Sequence, residues 1–342
     1  MKINIYGSTG IIGTKTLSII DKYFPKIKIN LLCANNNVYK LIHQSFLFSP
    51  KYVYINNHKK YKILKKNINP KSQILNFNEL KYYLKNSSSD YSILAISGYK
   101  ALKYFDSILN NTSSLGLVNK EIVVSAGHLF KNLSKKNKVK IYPLDSEHFS
   151  IFKNFNKKEY NLVDINKVIL TASGGPFLGK SYKSLKDTSF KKASKHPKWK
   201  MGYKNSIDSA TLTNKCLELV EAHYLFNIPY EKLKIVIHPE SIVHSIIEHK
   251  NYFYTFNAFK PDMLIPIFHF LNQKFNNNIN IKNLSITNNR NFNFYNVKKN
   301  EFPIYNLFSK IDKKNPCNLI KFNVGNEYAV NLFKNNIIRY TD

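Results

Sequence analysis

Asp145 and Glu147 stand two residues apart in Asp145-Ser146-Glu147-His148, just after an apolar run over 139–144 that reads as a strand. Positions i and i+2 of an extended segment share a face, so the two carboxylates are expected to converge on one cation, although a solvated acidic turn has the same composition. A third carboxylate is available from a helical stretch in which Asn214 and Glu218 are i,i+4 neighbours and Glu221 follows. Three carboxylates with no thiolate and no obligatory imidazole suit a hard cation, Mg2+ or Mn2+, better than Zn2+. Asn119-Lys120-Glu121 follows a second apolar run, 115–118, and so falls at the ligand-binding end of a sheet.

Gly7-Ser8-Thr9-Gly10-Ile11-Ile12-Gly13 joins the first strand-like run to the first helical one. Glycines there let the backbone turn tightly and approach a pyrophosphate, which rests on the helix N-terminus; the same turn also serves merely to link strand and helix. The second strand runs out into Cys33-Ala34-Asn35-Asn36-Asn37, with no Asp or Glu to accept from a ribose 2′-OH. That favours NADP over NAD. Ser173-Gly174-Gly175-Pro176 opens a loop, and Gly174–Ser181 spells G-x-x-x-x-G-K-S, but the polar Tyr182–Asp187 follows in place of an apolar helix. That match is read as chance. His196-Pro197-Lys198-Trp199-Lys200-Met201-Gly202 brings an imidazole and an indole into a loop able to close over a substrate. A lone Trp serves equally as a packing anchor, and His238 and His244 as core histidines.

The elements that must hold these groups follow from periodicity. Strands are expected at 2–7, 26–34, 52–55, 92–96, 115–118 and 139–142, alternating with helices at 12–24 and 38–48, which argues for a mostly parallel α/β sheet over 1–145. Beyond it come a strand at 167–172, one helix over 210–226, strands near 234–238 and 242–248, and an Asn-rich linker, 272–296. Helical stretches are expected at 305–311 and 327–333. The expected domains are therefore 1–145, 146–271 with a flap at about 183–205, and a helical 297–342.

The chain of 342 residues carries a formal charge of +31, but Arg290 and Arg339 are its only arginines. A nucleic-acid reader needs the bidentate arginine fork, so the lysine excess reads as compositional, with no nucleic-acid partner. Cys33, Cys216 and Cys317 lack CxxC spacing and read as reduced thiols. No apolar run reaches a membrane span, and a strand begins at once after Met1, so a cytoplasmic protein with no membrane partner is expected.

Taken in order, the glycine motif, Asn119-Lys120-Glu121, Asp145-Ser146-Glu147-His148, Ser173-Gly174-Gly175-Pro176-Phe177, the His196–Gly202 loop, Asp208-Ser209-Ala210-Thr211, Asn214-Lys215, Leu217-Glu218 and Pro261-Asp262-Met263 resemble the 1-deoxy-D-xylulose 5-phosphate reductoisomerase family. The resemblance implies a Rossmann-like NADPH domain, a catalytic α/β domain with a flap, a helical C-terminal domain and a homodimer. It implies Asp145, Glu147 and Glu218 as ligands of Mg2+ or Mn2+. It implies Ser173, Ser209, Asn214 and Lys215 at the substrate phosphate, and Ser146 and Lys120 along the sugar. It gives the flap to His196 and Trp199, with Lys120, Asp145, Glu147, Glu218 and His196 as the catalytic set. Thr9, Gly10, Ile11, Ile12, Asn35, Asn36, Asn37, Asn119, Glu121 and Gly202 would line the NADPH site. The implied reaction rearranges and reduces the sugar phosphate to 2-C-methyl-D-erythritol 4-phosphate, on a route to isoprenoid precursors.

Three positions depart from the family pattern. Ile11 stands where Ser is usual, and Asn35 and Asn36 stand where glycine and lysine are often found. Relatives also continue beyond Asp342, for which reduced stability is the expectation. A rival of similar architecture, an aspartate semialdehyde dehydrogenase, needs a nucleophilic Cys in a site loop, whereas Cys216 falls within a helix.

Overall fold

The computed structural model describes residues 1–155, 162–199, 201–280 and 291–342, and the chain divides into two compact units. The first comprises Met1–Asn119, Leu129–Asp145 and Met263–Ile281. Its elements run β1 (Lys2–Tyr6), α1 (Ile11–Tyr23), β2 (Lys28–Ala34), α2 (Val38–Phe48), β3 (Tyr52–Ile55), α3 (Tyr61–Asn67), β4 (Gln73–Ile74), α4 (Phe77–Asn86), β5 (Ser89–Leu94), α5 (Leu102–Asn110), β6 (Thr112–Leu117), α6 (Lys120–Lys136) and β7 (Lys140–Pro143). Helix α6 passes from the second unit into the first at Leu129.

The strands lie in the order β4-β3-β2-β1-β5-β6-β7, and each neighbouring pair is parallel. Parallel sheets are covered on both faces, so their strands read as near-continuous apolar runs. Ile3, Ile5, Leu32, Val53 and Ile93 accordingly pack with Leu17 and Ile20 of α1 in one core. Strand order reverses beside β1, which makes the β1–β5 crevice the topological switch point where ligands of such sheets bind.

The second unit comprises Lys120–His128, Ser146–Asp262 and Lys282–Asp342. It contains α7 (Ser146–Phe155), β8 (Ile165–Ala172), α8 (Phe190–Ala193), α9 (Tyr203–Ala210), α10 (Thr213–Phe226), β9 (Leu233–Ile237), β10 (Val243–His249) and β11 (Tyr254–Ala258). The chain then gives α11 (Leu264–Leu271) to the first unit before β12 (Tyr295–Asn296), α12 (Pro303–Lys310) and α13 (Pro316–Lys334) complete the second. Its sheet has the order β11-β10-β8-β9-β12, with β8 and β9 parallel and the other pairs antiparallel. One face, with Val168, Leu170, Ile235, Ile237 and Ile247, packs with Cys216, Leu217 and Val220 of α10 and with Phe308, Leu319 and Phe322 of α12 and α13.

The helix expected over 210–226 is α10, which starts at Thr213 and ends at Phe226, while Ala210 closes α9, a helix not expected from the sequence. Leu212 lies between α9 and α10 with φ +66, a left-handed turn that an L-residue adopts at a cost of about 1–2 kcal/mol. Its buried side chain, together with the packing of both flanking helices, fixes that conformation. The expected linker is also partly structured: residues 272–274 form a short 3-10 turn, and Tyr295–Asn296 pairs with β9. Its residues 281–290 lie outside the described residues, as does Lys200 of the expected flap. Met263–Ile281 joins the first unit because Phe268 and Phe270 enter its core, Phe268 edge-on to Tyr23 at 5.4 Å.

Candidate active site

In the first unit, Gly7 ends β1 at the switch point with φ +92. A Cβ there would lie 2.6 Å from the Ala95 carbonyl oxygen, so glycine alone lets the turn pass beside the end of β5. Gly10 caps α1 without a side-chain bond, and no acidic residue occupies the first turn, so the helix begins with its N–H groups and no competing anion. Thr9 and Ile12 are half-buried there, and Gly10 and Ile11 are exposed. Exposed Asn35, Asn36 and Asn37 follow β2. Buried Asn119 donates to the carbonyls of Gly98, at 3.0 Å, and Ile96, tying the end of β6 to the end of β5.

The second unit holds a buried network of opposite charges. Lys120 opens α6 and donates through Nζ to Asn214 Oδ1 and Glu218 Oε1, each at 2.8 Å. Lys215 Nζ donates to Glu147 Oε1 and, at 2.7 Å, to Glu218 Oε2, while Ser146 Oγ and Asn214 Nδ2 bond Glu147 and Glu218. Glu218 is fully buried, and Lys120 and Lys215 are only 5% and 6% exposed. Charges this buried persist only when paired, and here each carboxylate meets an ammonium. Helix α10 can carry them because it is covered on nearly every side.

Asp145, the residue before α7, completes a group of carboxylates. Asp145, Glu147 and Glu218 each offer a ligand oxygen within 4.8 Å of the others. The expected cause of that convergence is corrected: Glu147 lies in the first turn of α7, not in an extended segment, and α7 opens where β7 has just ended. An all-oxygen set of three carboxylates is the donor chemistry of Mg2+ or Mn2+, so the residues present fit such an ion.

Two further groups adjoin this network. His148 is fully buried, with Nε2 2.9 Å from the Glu218 carbonyl and Nδ1 3.4 Å from Glu221 Oε2. Sequence reasoning did not single out this pair; its only signal was a Glu three residues past Glu218 on an apolar helix. Lys204 bonds Asp208 at 2.6 Å and Glu121 at 3.1 Å, while Asn326 of α13 donates to the other Asp208 oxygen. Burial lowers the Lys204 pKa, but the two carboxylates outweigh it and hold the ammonium above its ordinary range.

The loop after β8 places Ser173 with its Oγ 2.9 Å from His196 Nε2. Gly175, at φ +70, lets this loop lie against α9, since a Cβ would stand 2.8 Å from the Ser209 carbonyl. Burial and then the Lys215 charge push the His196 pKa down to about 4. Its Nδ1 accepts from the backbone N–H groups of Lys198 and Trp199. The segment expected to be a flap is anchored: Leu185 and Ala193 are buried with Val330 and Phe333 of α13, and Trp199 meets the His244 ring edge-on at 6.2 Å. Gly202 is the N-cap of α9. His238 and His244 are buried and hydrogen-bonded, as core histidines. Gly174–Ser181 holds one 3-10 turn, Gly175–Phe177, and is followed by another, Tyr182–Leu185, where a P-loop would open a helix.

Fold and site together define an α/β oxidoreductase of the dinucleotide-binding kind with a cluster of three carboxylates whose donor chemistry fits a divalent cation. The chain belongs to the 1-deoxy-D-xylulose 5-phosphate reductoisomerase family: that family's domains match residues 3–127, its C-terminal domains 141–226 and 259–342. It is 36% identical to the 1-deoxy-D-xylulose 5-phosphate reductoisomerase of Pelagibacter ubique and 37% to that of a Sulfurihydrogenibium species, each across 100% of this chain and 88% of the relative. A crystal structure of DOX-P reductoisomerase with NADPH, fosmidomycin and magnesium superposes with a TM-score of 0.93 at 31% identity, covering 100% of this chain and 86% of that one. The Zymomonas mobilis enzyme with NADPH gives a TM-score of 0.87 at 30% identity, over 100% and 88%.

Proposed function

We propose that the chain catalyses the NADPH- and divalent-metal-dependent conversion of 1-deoxy-D-xylulose 5-phosphate to 2-C-methyl-D-erythritol 4-phosphate, in isoprenoid precursor synthesis. The observation that carries this reading is the convergence of Asp145, Glu147 and fully buried Glu218 beside the Lys120 and Lys215 ammonium groups. Asp145, Glu147 and Glu218 hold the Mg2+ or Mn2+ ion. When bound, the cation supplies Lewis-acid polarisation of the substrate's oxygens, and NADPH supplies the hydride that reduces the rearranged aldehyde.

The chain's own groups bind and orient. Lys120 and Ser146 reach the sugar backbone, where an ammonium and a hydroxyl stabilise oxygens that gain negative charge. Ser173, Ser209, Asn214 and Lys215 hold the phosphate by hydroxyl, amide and ammonium donors. Neutral His196 donates its Nε2–H there, and Trp199 closes the flap against water. Thr9, Gly10, Ile11 and Ile12 receive the pyrophosphate at the start of α1; Asn35, Asn36 and Asn37 line the ribose end, and Asn119, Glu121 and Gly202 the nicotinamide end.

A homodimer is part of the same reading. The sheet face opposite α10 carries Ile169, Ile246, Phe256 and Tyr254, with Phe256 47% and Tyr254 60% exposed, a surface suited to a second copy. Among the described residues no helix is long and apolar enough to cross a membrane. The buried free thiols of Cys33 and Cys216 suit the reducing cytoplasm.

The test is to incubate the protein with 1-deoxy-D-xylulose 5-phosphate, NADPH and Mn2+ and to follow both cofactor absorbance and product mass. Cofactor consumption that requires the sugar phosphate and stops on chelation is expected. A folded protein that consumes no NADPH under these conditions overturns the reading.

A further inference from the structure

The turn after β2, which in dinucleotide-binding sheets faces the adenosine ribose, carries neither an acid nor a base: it is Asn35-Asn36-Asn37. The turn after the neighbouring β3 continues the row with Asn56 and Asn57 and then runs directly into His58-Lys59-Lys60. The two turns are laced together. Asn56 Nδ2 donates to Asn35 Oδ1 at 3.0 Å, Asn57 Nδ2 donates to Asn36 Oδ1 at 2.9 Å, and the Asn57 N–H donates to the Asn35 carbonyl at 3.0 Å.

The remaining amide oxygens are committed in the same way. Asn56 Oδ1 accepts from Tyr104 at 3.1 Å, Asn57 Oδ1 from the Lys59 N–H at 3.0 Å, and Asn37 Oδ1 from the Lys40 N–H at 3.1 Å. All five asparagine oxygens therefore accept from within the fold, and the Asn35 and Asn36 side chains are left to offer Nδ2 donors. No Asp or Glu occurs between Asp21 and Glu79. A rim whose amide oxygens already accept from within the fold, with exposed donors, lysines next in sequence and no carboxylate, suits a phosphate and leaves a ribose 2′-OH without its usual carboxylate acceptor.

We propose that Lys59 and Lys60, on the β3 turn, bind the 2′-phosphate of NADPH across the Asn35–Asn36 rim and set the preference for NADPH over NADH. Cofactor discrimination is thereby moved from the β2 turn to its neighbour. The inference rests on the reading above that the nucleotide lies at the carboxyl end of this sheet.

Calorimetric titration of the full chain with NADPH, NADH, adenosine 2′,5′-bisphosphate and ADP tests it, comparing wild type, Lys59→Ala/Lys60→Ala and the charge-matched Lys65→Ala/Lys66→Ala. Wild type is expected to prefer the 2′-phosphorylated member of each pair. The first variant is expected to weaken NADPH and the bisphosphate by about tenfold or more, the loss of one or two charge-assisted hydrogen bonds, with NADH and ADP unchanged. The second variant is expected to change neither. Equal losses in both variants, or equal losses for both dinucleotides, would make the effect one of general charge and overturn the proposal. Unchanged NADPH binding in the first variant also overturns it, as does a wild type that binds both dinucleotides equally. A wild type that binds neither dinucleotide removes instead the reading on which the proposal rests.

Discussion

His196 donates through Nε2 to Ser173 Oγ at 2.9 Å, because its Nδ1 is already taken by the Trp199 N–H at 2.8 Å and the Lys198 N–H at 3.1 Å. A ring nitrogen that accepts two N–H groups carries no proton, so the neutral imidazole bears its hydrogen on Nε2. Burial and the Lys215 charge keep it in that state, with a pKa near 4 in place of 6.5. The unfolded chain takes up this proton first as pH falls, so the contribution to stability is complete above about 6.5 and is lost as pH falls toward 4. Proton NMR titration should show His196 titrating near 4 and disappear as a distinct resonance in His196→Asn. A midpoint at or above 6.5 contradicts the assignment.

Lys215→Met leaves Glu147 and Glu218 without the ammonium they share. Removing one partner of a buried ion pair costs about 3–5 kcal/mol. Thermal denaturation should show that loss, with part of it recovered on adding Mn2+, since the cation restores positive charge beside the same carboxylates. Wild-type stability in metal-free buffer would show that the pairing does not hold these charges.

Gly7→Ala forces an L-side chain to φ +92 and puts a methyl group 2.6 Å from the Ala95 carbonyl. Strain and contact together are expected to cost at least about 2 kcal/mol. NADPH titration and urea denaturation should both register the change. Wild-type behaviour in the two would mean that the turn is not fixed by this close approach.

Phe333→Ala removes a ring that packs at 5.7 Å from Phe190 and 5.8 Å from Tyr340. About 3 kcal/mol of stability is expected to go. Because Phe190 and Ala193 root the flap in the same cluster, KM for the sugar phosphate should rise more than kcat falls. An unchanged KM in steady-state kinetics would separate the flap from its anchor.

The groups at strand ends were legible because short local patterns dictate them: an apolar run that stops at glycine or at an acid marks its own boundary. The parallel sheet was legible for the same reason, as strands alternate with helices over the first 145 residues. What escaped was decided at long range. The start of α10 at Thr213, three residues later than expected, is one case, since leucine favours the helix and only the packing on either side holds Leu212 at φ +66. The return of Met263–Ile281 to the first unit depends on aromatic contacts with residues some 240 positions earlier, such as Phe268 with Tyr23 and Phe24. Asp145 and Glu147 were paired for the wrong reason, an extended backbone where α7 in fact begins. The His148–Glu221 pair was hidden because burial, which gives it meaning, is invisible in a single sequence.

Glu218→Gln tests the central claim most directly, because this side chain joins the three-carboxylate cluster and accepts from Lys120, Asn214 and Lys215. The measurement is Mn2+ binding by calorimetry, alongside NADPH consumption with 1-deoxy-D-xylulose 5-phosphate, on wild type and variant of equal fold. The account predicts that the variant binds Mn2+ at least about tenfold more weakly and turns over less than about a hundredth as fast, while NADPH binding is retained. Mn2+ affinity and turnover equal to the wild type would contradict it.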